Sequence, residues 1–321
     1  MTPGVTFNQG VILKTYLSET DWTNGVLAQI ELETRCKELL SRYAETRRFP
    51  LLLFDQGINT TPFFYSGMAQ KIASRGYEDI AMDHPYESNI VEFPDATVIY
   101  CGRSYPPGNV TYIVKFTPYA LYALSARVQD AFFVLDSLVI EEGSASVGFL
   151  GHSFVGAAAA AALLNDSRIA AAINMDGTMY GPVIKISVSK PFLMFSSAGH
   201  NTSTDPTWGN FTEAMAANHP ESWFKKPRIV NSTHLLVVTS RLLGTSPDWG
   251  GIRTWKRFFF GMVTGKGAAE ILAAHVDDFF KITLAGKEEG LLSGPNSAYS
   301  EVQFCPGTIR CAGTPAGTGE L

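Results

Sequence analysis

The chain lacks most features that would assign its class at a glance. Its 25 basic residues are outnumbered by 30 acidic ones, and no Lys or Arg run exceeds a pair. That excludes the basic footprint of a nucleic-acid-binding protein. No apolar run approaches the roughly 18 residues a membrane span needs; the small-residue run Ala157 to Leu164 is far too short. Cysteine is scarce: Cys36, Cys101, Cys305 and Cys311 are too few for a disulfide scaffold and show no metal-ligand spacing. Cys305 and Cys311 bracket a short loop that either closes as a disulfide in an oxidising compartment or carries free thiols. The first ten residues have neither the basic nor the apolar region of a signal peptide. Taken literally, the product is cytoplasmic. Against this, Asn59, Asn109, Asn165, Asn201, Asn210 and Asn231, six of the twelve asparagines, begin an N-x-Ser/Thr sequon. Chance predicts about two, so the excess points to a secretory ancestry.

What is present is core-forming material. Hydrophobic residues make up 45% of the 321 and charged residues 17%, enough to bury a large core. The expectation is a single domain over 1–310 with a flexible Gly/Thr/Pro-rich tail at 311–321. Strand and helix signals alternate. Pro50 to Asp55 is a continuous apolar run, Phe63 to Arg75 is helical, and Tyr77 to Asp83 is a second run, together a βαβ unit. Leu121, Leu124, Val128, Phe132, Leu135 and Val139 mark a helix over Tyr119 to Ile140. A strand over Ala145 to Leu150, a turn at Gly151 and an Ala-rich helix from Phe154 to Leu164 follow. Further strands are expected at Ile169 to Met175, Pro191 to Ser196 and Arg228 to Asn231, and a helix at Ala268 to Leu284. The pattern predicts an α/β fold with a mostly parallel sheet and helices on both faces. Active sites in such sheets lie at the carboxyl ends of strands.

Gly151-His-Ser153 stands where a strand gives way to a helix of small residues, the context of a nucleophile elbow. Glycine is expected two residues either side of the serine; Gly151 meets this, whereas Val155 does not and the glycine is displaced to Gly156. A serine nucleophile needs a base and an orienting acid, here in the order Ser, Asp, His. Asp176 ends the following strand on the same sheet edge. His234, in the polar stretch Asn231 to His234, is the best base; His200 and His219 lie in polar loops and His275 inside an amphipathic helix. Oxyanion donors are expected from the Phe154 amide and, in the loop Asp55 to Asn59, from the Ile58 amide. Phe63, Phe64, Trp208, Phe211 and Trp223 are candidates for pocket lining, although such aromatics are as often core.

These segments resemble the plasma-type (group VII) platelet-activating factor acetylhydrolase family, particularly its fungal members. The resemblance runs through Phe49 to Phe54 with Gln56-Gly57, Ser74 to Tyr77, Asp83 to Tyr86, Gly151 to Phe154, Ile173 to Thr178 and Lys190 to Leu193. It covers about Asn24 to Leu243. It implies the α/β-hydrolase fold, Ser153, Asp176 and His234 as the triad, Ile58 and Phe154 as oxyanion donors, and cleavage without calcium of short or oxidised acyl esters at the sn-2 position of phospholipids. The sequence departs at Val155, at Gln56, where His is usual, and at Leu235 to Val238, where a small residue is usual. Members normally carry a signal peptide and early strands ahead of this chain's first residue. Met1 is therefore read as an internal methionine of a truncated gene model or as the start of a shortened paralogue.

The leading expectation is a serine esterase that needs no cofactor or metal, acting on a small-molecule or lipid ester. Two alternatives stay open: a hydrolase-fold enzyme of a fungal secondary-metabolite pathway that catalyses condensation or cyclisation, and a non-catalytic binding paralogue. Val155 motivates both.

Overall fold

The computed structural model describes residues 49–304 except 59, 89, 101–110, 145 and 235–264, and omits the side chains of residues 100, 111–117, 265 and 266. The four cysteines, the segment after His234 and the tail expected at 311–321 lie outside the described residues. The strands are β1 (Leu51–Asp55), β2 (Glu78–Met82), β3 (Ile90–Glu92), β4 (Val98–Tyr100), β5 (Val147–His152), β6 (Ile169–Met175), β7 (Phe192–Phe195), β8 (Phe224–Lys225), β9 (Pro227–Ile229) and β10 (Val302–Phe304). The helices are α1 (Ser66–Ala73), α2 (Thr111–Ser137), α3 (Val155–Asn165), α4 (Val183–Ile186), α5 (Pro206–Asn218) and α6 (Gly265–Ala285).

Six strands make one parallel sheet in the order β2-β1-β5-β6-β7-β8. Every residue of β1 is buried. Helices cover both faces of such a sheet, so its central strands have no polar side and read as unbroken apolar runs. Alternate side chains separate into two cores. Leu51, Leu53, Val147, Phe149 and Phe192 pack beneath α2, α3 and α5, whereas Leu52, Phe54, Leu150, Ile173 and Phe195 pack beneath α1 and α6. Burial of this apolar surface, at about 25 cal/mol per Å², is the main force holding the layers together.

Some boundaries differ from expectation. Helix α2 begins at Thr111 and runs through Pro118; the ring removes a single backbone bond near the start of a long helix, a loss its buried face outweighs. Its buried stripe passes through Ala120, Ala123, Leu124, Val128, Ala131 and Leu135, leaving Leu121 and Val139 exposed. Val139, just past the helix end, has a left-handed φ of 54°. The strand expected at Arg228 to Asn231 is β9, which pairs antiparallel with β10 and touches the main sheet through an Arg228–Ser196 bridge.

From β1 the chain steps outward to β2 and later returns to β5 on the other side of β1. A crevice opens at the carboxyl end of the sheet where strand order reverses in this way. The ends of β1, β5 and β6 stand side by side there.

Candidate active site

Ser153 follows β5 directly and adopts φ 61°, a left-handed conformation uncommon for a non-glycine residue and imposed here by the tight turn from strand to helix. Its amide still donates to the Met175 carbonyl at 2.9 Å, so the sheet ladder holds the turn. Gly151 is obligatory here, because a Cβ would stand 2.4 Å from the Val155 carbonyl oxygen. Val155 itself is fully buried in the core. The second close approach falls one residue later, at Gly156, whose would-be Cβ meets the Asn174 side chain at 2.0 Å. The displaced glycine thus marks a shifted contact, and the turn forms with valine at 155.

Asp176 follows β6 and also has φ 61°. Its amide donates to Phe195 at 2.7 Å, and Oδ1 accepts from the Ser197 amide at 2.6 Å. Oδ2 lies 2.7 Å from His234 Nδ1, and His234 Nε2 lies 2.8 Å from Ser153 Oγ. The three sequence-predicted residues therefore meet in one hydrogen-bonded line. Asp176 is buried, while the His234 side chain is 47% exposed.

A second imidazole, which the sequence reading set aside as a loop residue, also reaches Asp176. His200 Nδ1 is 3.1 Å from the Asp176 carbonyl oxygen and 3.2 Å from Oδ1; Nε2 is 2.9 Å from Asp205 Oδ2. Acceptors face both nitrogens, so the ring is an imidazolium. Burial opposes that charge, but the bonds to Asp176 and Asp205 overcome it and push the pKa up to about 9. Burial alone would likewise raise the Asp176 carboxyl. Hydrogen bonds from His200 and His234 instead hold it well below the usual carboxylate range, so it stays ionised. Asp205 also caps α5, accepting from the Thr207 amide at 2.9 Å.

The β1 end contributes the loop through Gln56, Gly57 and Ile58. Arg127, fully buried on α2, donates from Nη1 to the Gln56 carbonyl at 2.9 Å and to Asp55 at 2.7 Å, and from Nε to Glu87 at 2.6 Å. The same guanidinium lies 5.8 Å from the centre of the Phe154 ring, within cation–π range. His84 bridges Asp55 at 2.9 Å and Asp130 at 2.6 Å. Burial opposes its charge, yet these carboxylates raise it to about 9. Gln56, a departure from the family pattern, is buried and donates to Ser88 at 3.0 Å. Among the described residues, neither the Phe154 nor the Ile58 amide donates to a protein acceptor.

Ser153, Phe154, Ile58, Asp176, His200 and His234 line one cavity of about 990 Å³, the upper end of ordinary ligand pockets. Met179, Tyr180 and Ile184 are among its apolar lining residues, and Thr178, Thr204 and Asp205 among its polar ones. None of the five aromatics expected there lines this cavity. Trp208 and Phe211 are core residues, the indole N–H donating to the Gly177 carbonyl at 2.7 Å. Phe64 is buried, Phe63 points to solvent and Trp223 packs on Phe279. Among the described residues, no three His, Cys, Asp or Glu are arranged to hold a metal ion, and no helix is long and apolar enough to cross a membrane.

No protein-family model matches the chain. A ferulic acid esterase from Streptomyces cinnamoneus superposes with a TM-score of 0.63 at 25% identity, over 80% of this chain and 73% of its own. The fold and these likenesses define a carboxylic ester hydrolase of the α/β-hydrolase class. A probable 1-alkyl-2-acetylglycerophosphocholine esterase from Arthroderma benhamiae is 34% identical over 299 residues, covering 88% of this chain and 74% of the relative. The chain belongs to that esterase family, the platelet-activating factor acetylhydrolases.

Proposed function

We propose that this protein hydrolyses short-chain acyl esters, the sn-2 acetyl group of a glycerophospholipid among them, with Ser153 as nucleophile. The unbroken hydrogen-bonded line from Ser153 through His234 to Asp176, opening on the cavity, supports this reading most. His234 Nε2 accepts the Ser153 proton as Oγ attacks the ester carbonyl carbon. The oxyanion that develops is received by the Phe154 and Ile58 amides. Collapse expels the alcohol, which takes the proton from His234; water, deprotonated by the same nitrogen, then releases the carboxylic acid. Asp176 keeps its charge throughout, orienting the imidazole and balancing its positive form. The relative's name supports an acetyl ester of an alkylglycerophosphocholine as substrate, and the apolar residues lining the cavity with Ser153 suit an acyl chain. With the elbow turn formed around a buried Val155, the condensing and non-catalytic readings keep no observation in their favour.

Ser153→Ala should reduce turnover of p-nitrophenyl acetate by about four orders of magnitude or more and abolish labelling by a fluorophosphonate. Retained activity in the folded variant would sink the mechanism. Release of acetate, but not of a long acyl chain, from matched sn-2 phospholipids tests the substrate class.

A further inference from the structure

We infer that Tyr65 and His152 form a bolt that locks the loop carrying Ile58 to the loop carrying His234, so that one hydrogen-bonded line sets both the oxyanion donor and the base. The inference rests on the serine-esterase reading for the roles of those two loops. Its geometry is independent of that reading.

His152 occupies the variable position of the elbow, immediately before Ser153, and its ring is buried. Nε2 lies 2.8 Å from the His234 backbone carbonyl, and Nδ1 lies 2.8 Å from the Tyr65 hydroxyl. A carbonyl only accepts, so Nε2 carries the proton. Burial, with His234 nearby, pushes the imidazole down to about 3, so the ring is neutral and Nδ1 accepts from the Tyr65 O–H. The Tyr65 oxygen in turn accepts from the Gly57 amide at 3.1 Å. The line therefore has one direction, from Gly57 N–H through Tyr65 and His152 to the carbonyl of His234. A Cβ on Gly57 would fall 3.2 Å from Ser153 Cβ and 3.3 Å from His152 Nδ1, which places the loop against the nucleophile.

Both ends of the line are backbone groups of loops with chemistry to perform. The His234 side chain is half exposed, and its ring packs on that of His152 with centroids 4.8 Å apart. Its peptide, held by His152, fixes the start of the side chain as well. At the other end Tyr65 orients the Gly57 peptide, and with it the amide that follows. A misplacement of about 1 Å in such groups costs roughly a hundredfold in rate. Neither Tyr65 nor His152 lines the cavity; they act through the groups they hold and are positioning residues.

The test counts active sites by fluorophosphonate titration and compares folded variants with wild type. Tyr65→Phe and His152→Leu should each lower kcat by about tenfold or more while KM stays within about threefold. Inhibition by a trifluoromethyl ketone, which loads the oxyanion hole, should weaken by the same factor. His152→Gln, whose amide can still donate to the carbonyl, should recover part of the loss. The double variant Tyr65→Phe/His152→Leu should be no slower than His152→Leu alone, because both break one line. A titratable Tyr65→Phe enzyme with kcat within about twofold of wild type, or losses that multiply in the double variant, would overturn the bolt. Should the variants not fold, nitrogen NMR of wild type decides: His152 must show the neutral Nε2–H tautomer from about pH 5 to 8, and a doubly protonated or Nδ1–H ring refutes the inference. Full turnover by Ser153→Ala with that tautomer intact would remove the esterase reading and leave the bolt standing.

Discussion

Two Asp–His clusters stand at the carboxyl ends of parallel strands in this protein, and they differ in use. At the end of β1, Asp55 meets His84 and Arg127, with Glu87 and Asp130 completing the group. At the end of β6, Asp176 meets His234 and His200, with Asp205 beyond. The residue types are nearly the same. The centre of the first cluster is sealed, Asp55 and Arg127 having no exposed surface while Asp130 at its rim is half exposed, and the group contains no nucleophile. The second opens on the cavity, lies 2.8 Å from a serine hydroxyl and is built on two residues in the left-handed region. Paired charge alone does not mark a reactive site. Access, strain and a neighbouring nucleophile separate the two.

The largest expected effect tests the open cluster. Asp176→Asn should leave the protein folded and lower kcat for p-nitrophenyl acetate by about 10⁴-fold, because the amide favours the wrong imidazole tautomer. A loss under about tenfold would reduce Asp176 to a structural anchor like Asp55. Next comes the sealed cluster: Arg127→Met leaves Glu87 buried without its cation and Asp55 with His84 as its one remaining partner among the described residues. Urea unfolding should show a loss of about 3–5 kcal/mol. A neutral result would mean that the cluster is held together by something other than this ion pairing.

The smallest effect is shared by both clusters. His84 and His200 have folded-state pKa values raised to about 9, above the unfolded value near 6.5. The stability they contribute is fully present below about pH 6.5 and is lost as pH rises through about 9. The unfolding free energy of wild type, read from urea denaturation, should fall over that window by on the order of 1–2 kcal/mol for each imidazole. His84→Gln and His200→Gln should each flatten the slope, and an unchanged slope in either would show that its imidazole is not charged at neutral pH.

The sequence made the sheet legible because its central strands, buried on both faces, carry unbroken apolar runs, Leu51 to Phe54 and Ile169 to Ile173 among them. Ser153, Asp176 and His234 could be picked out because each lies at or just after a strand signal, in an order the chemistry dictates. Tyr65, Arg127, His152 and His200 were hidden for the opposite reason. Each is a single residue on a helix, a strand end or a loop, and reaches the site through partners distant in the chain, 87 positions in the case of Tyr65 and His152. One signal was available: His152 sits in the elbow itself, where an imidazole beside a nucleophile invites attention. The five aromatics were misplaced because burial in the core and lining of a pocket draw on the same side chains. Strand β8 was missed because two residues, Phe224 and Lys225, carry no periodicity.

The left-handed turns have a bearing on protein engineering. Ser153 and Asp176 hold strained backbones in the proposed catalytic site, and on that proposal thermostability sought there would be won at the expense of catalysis. Val139 and Ala96 carry the same kind of strain, φ 54° and 65°, at exposed positions remote in sequence from these turns. Glycine or asparagine at those two positions offers a route to a hardier enzyme that leaves the working parts as they are.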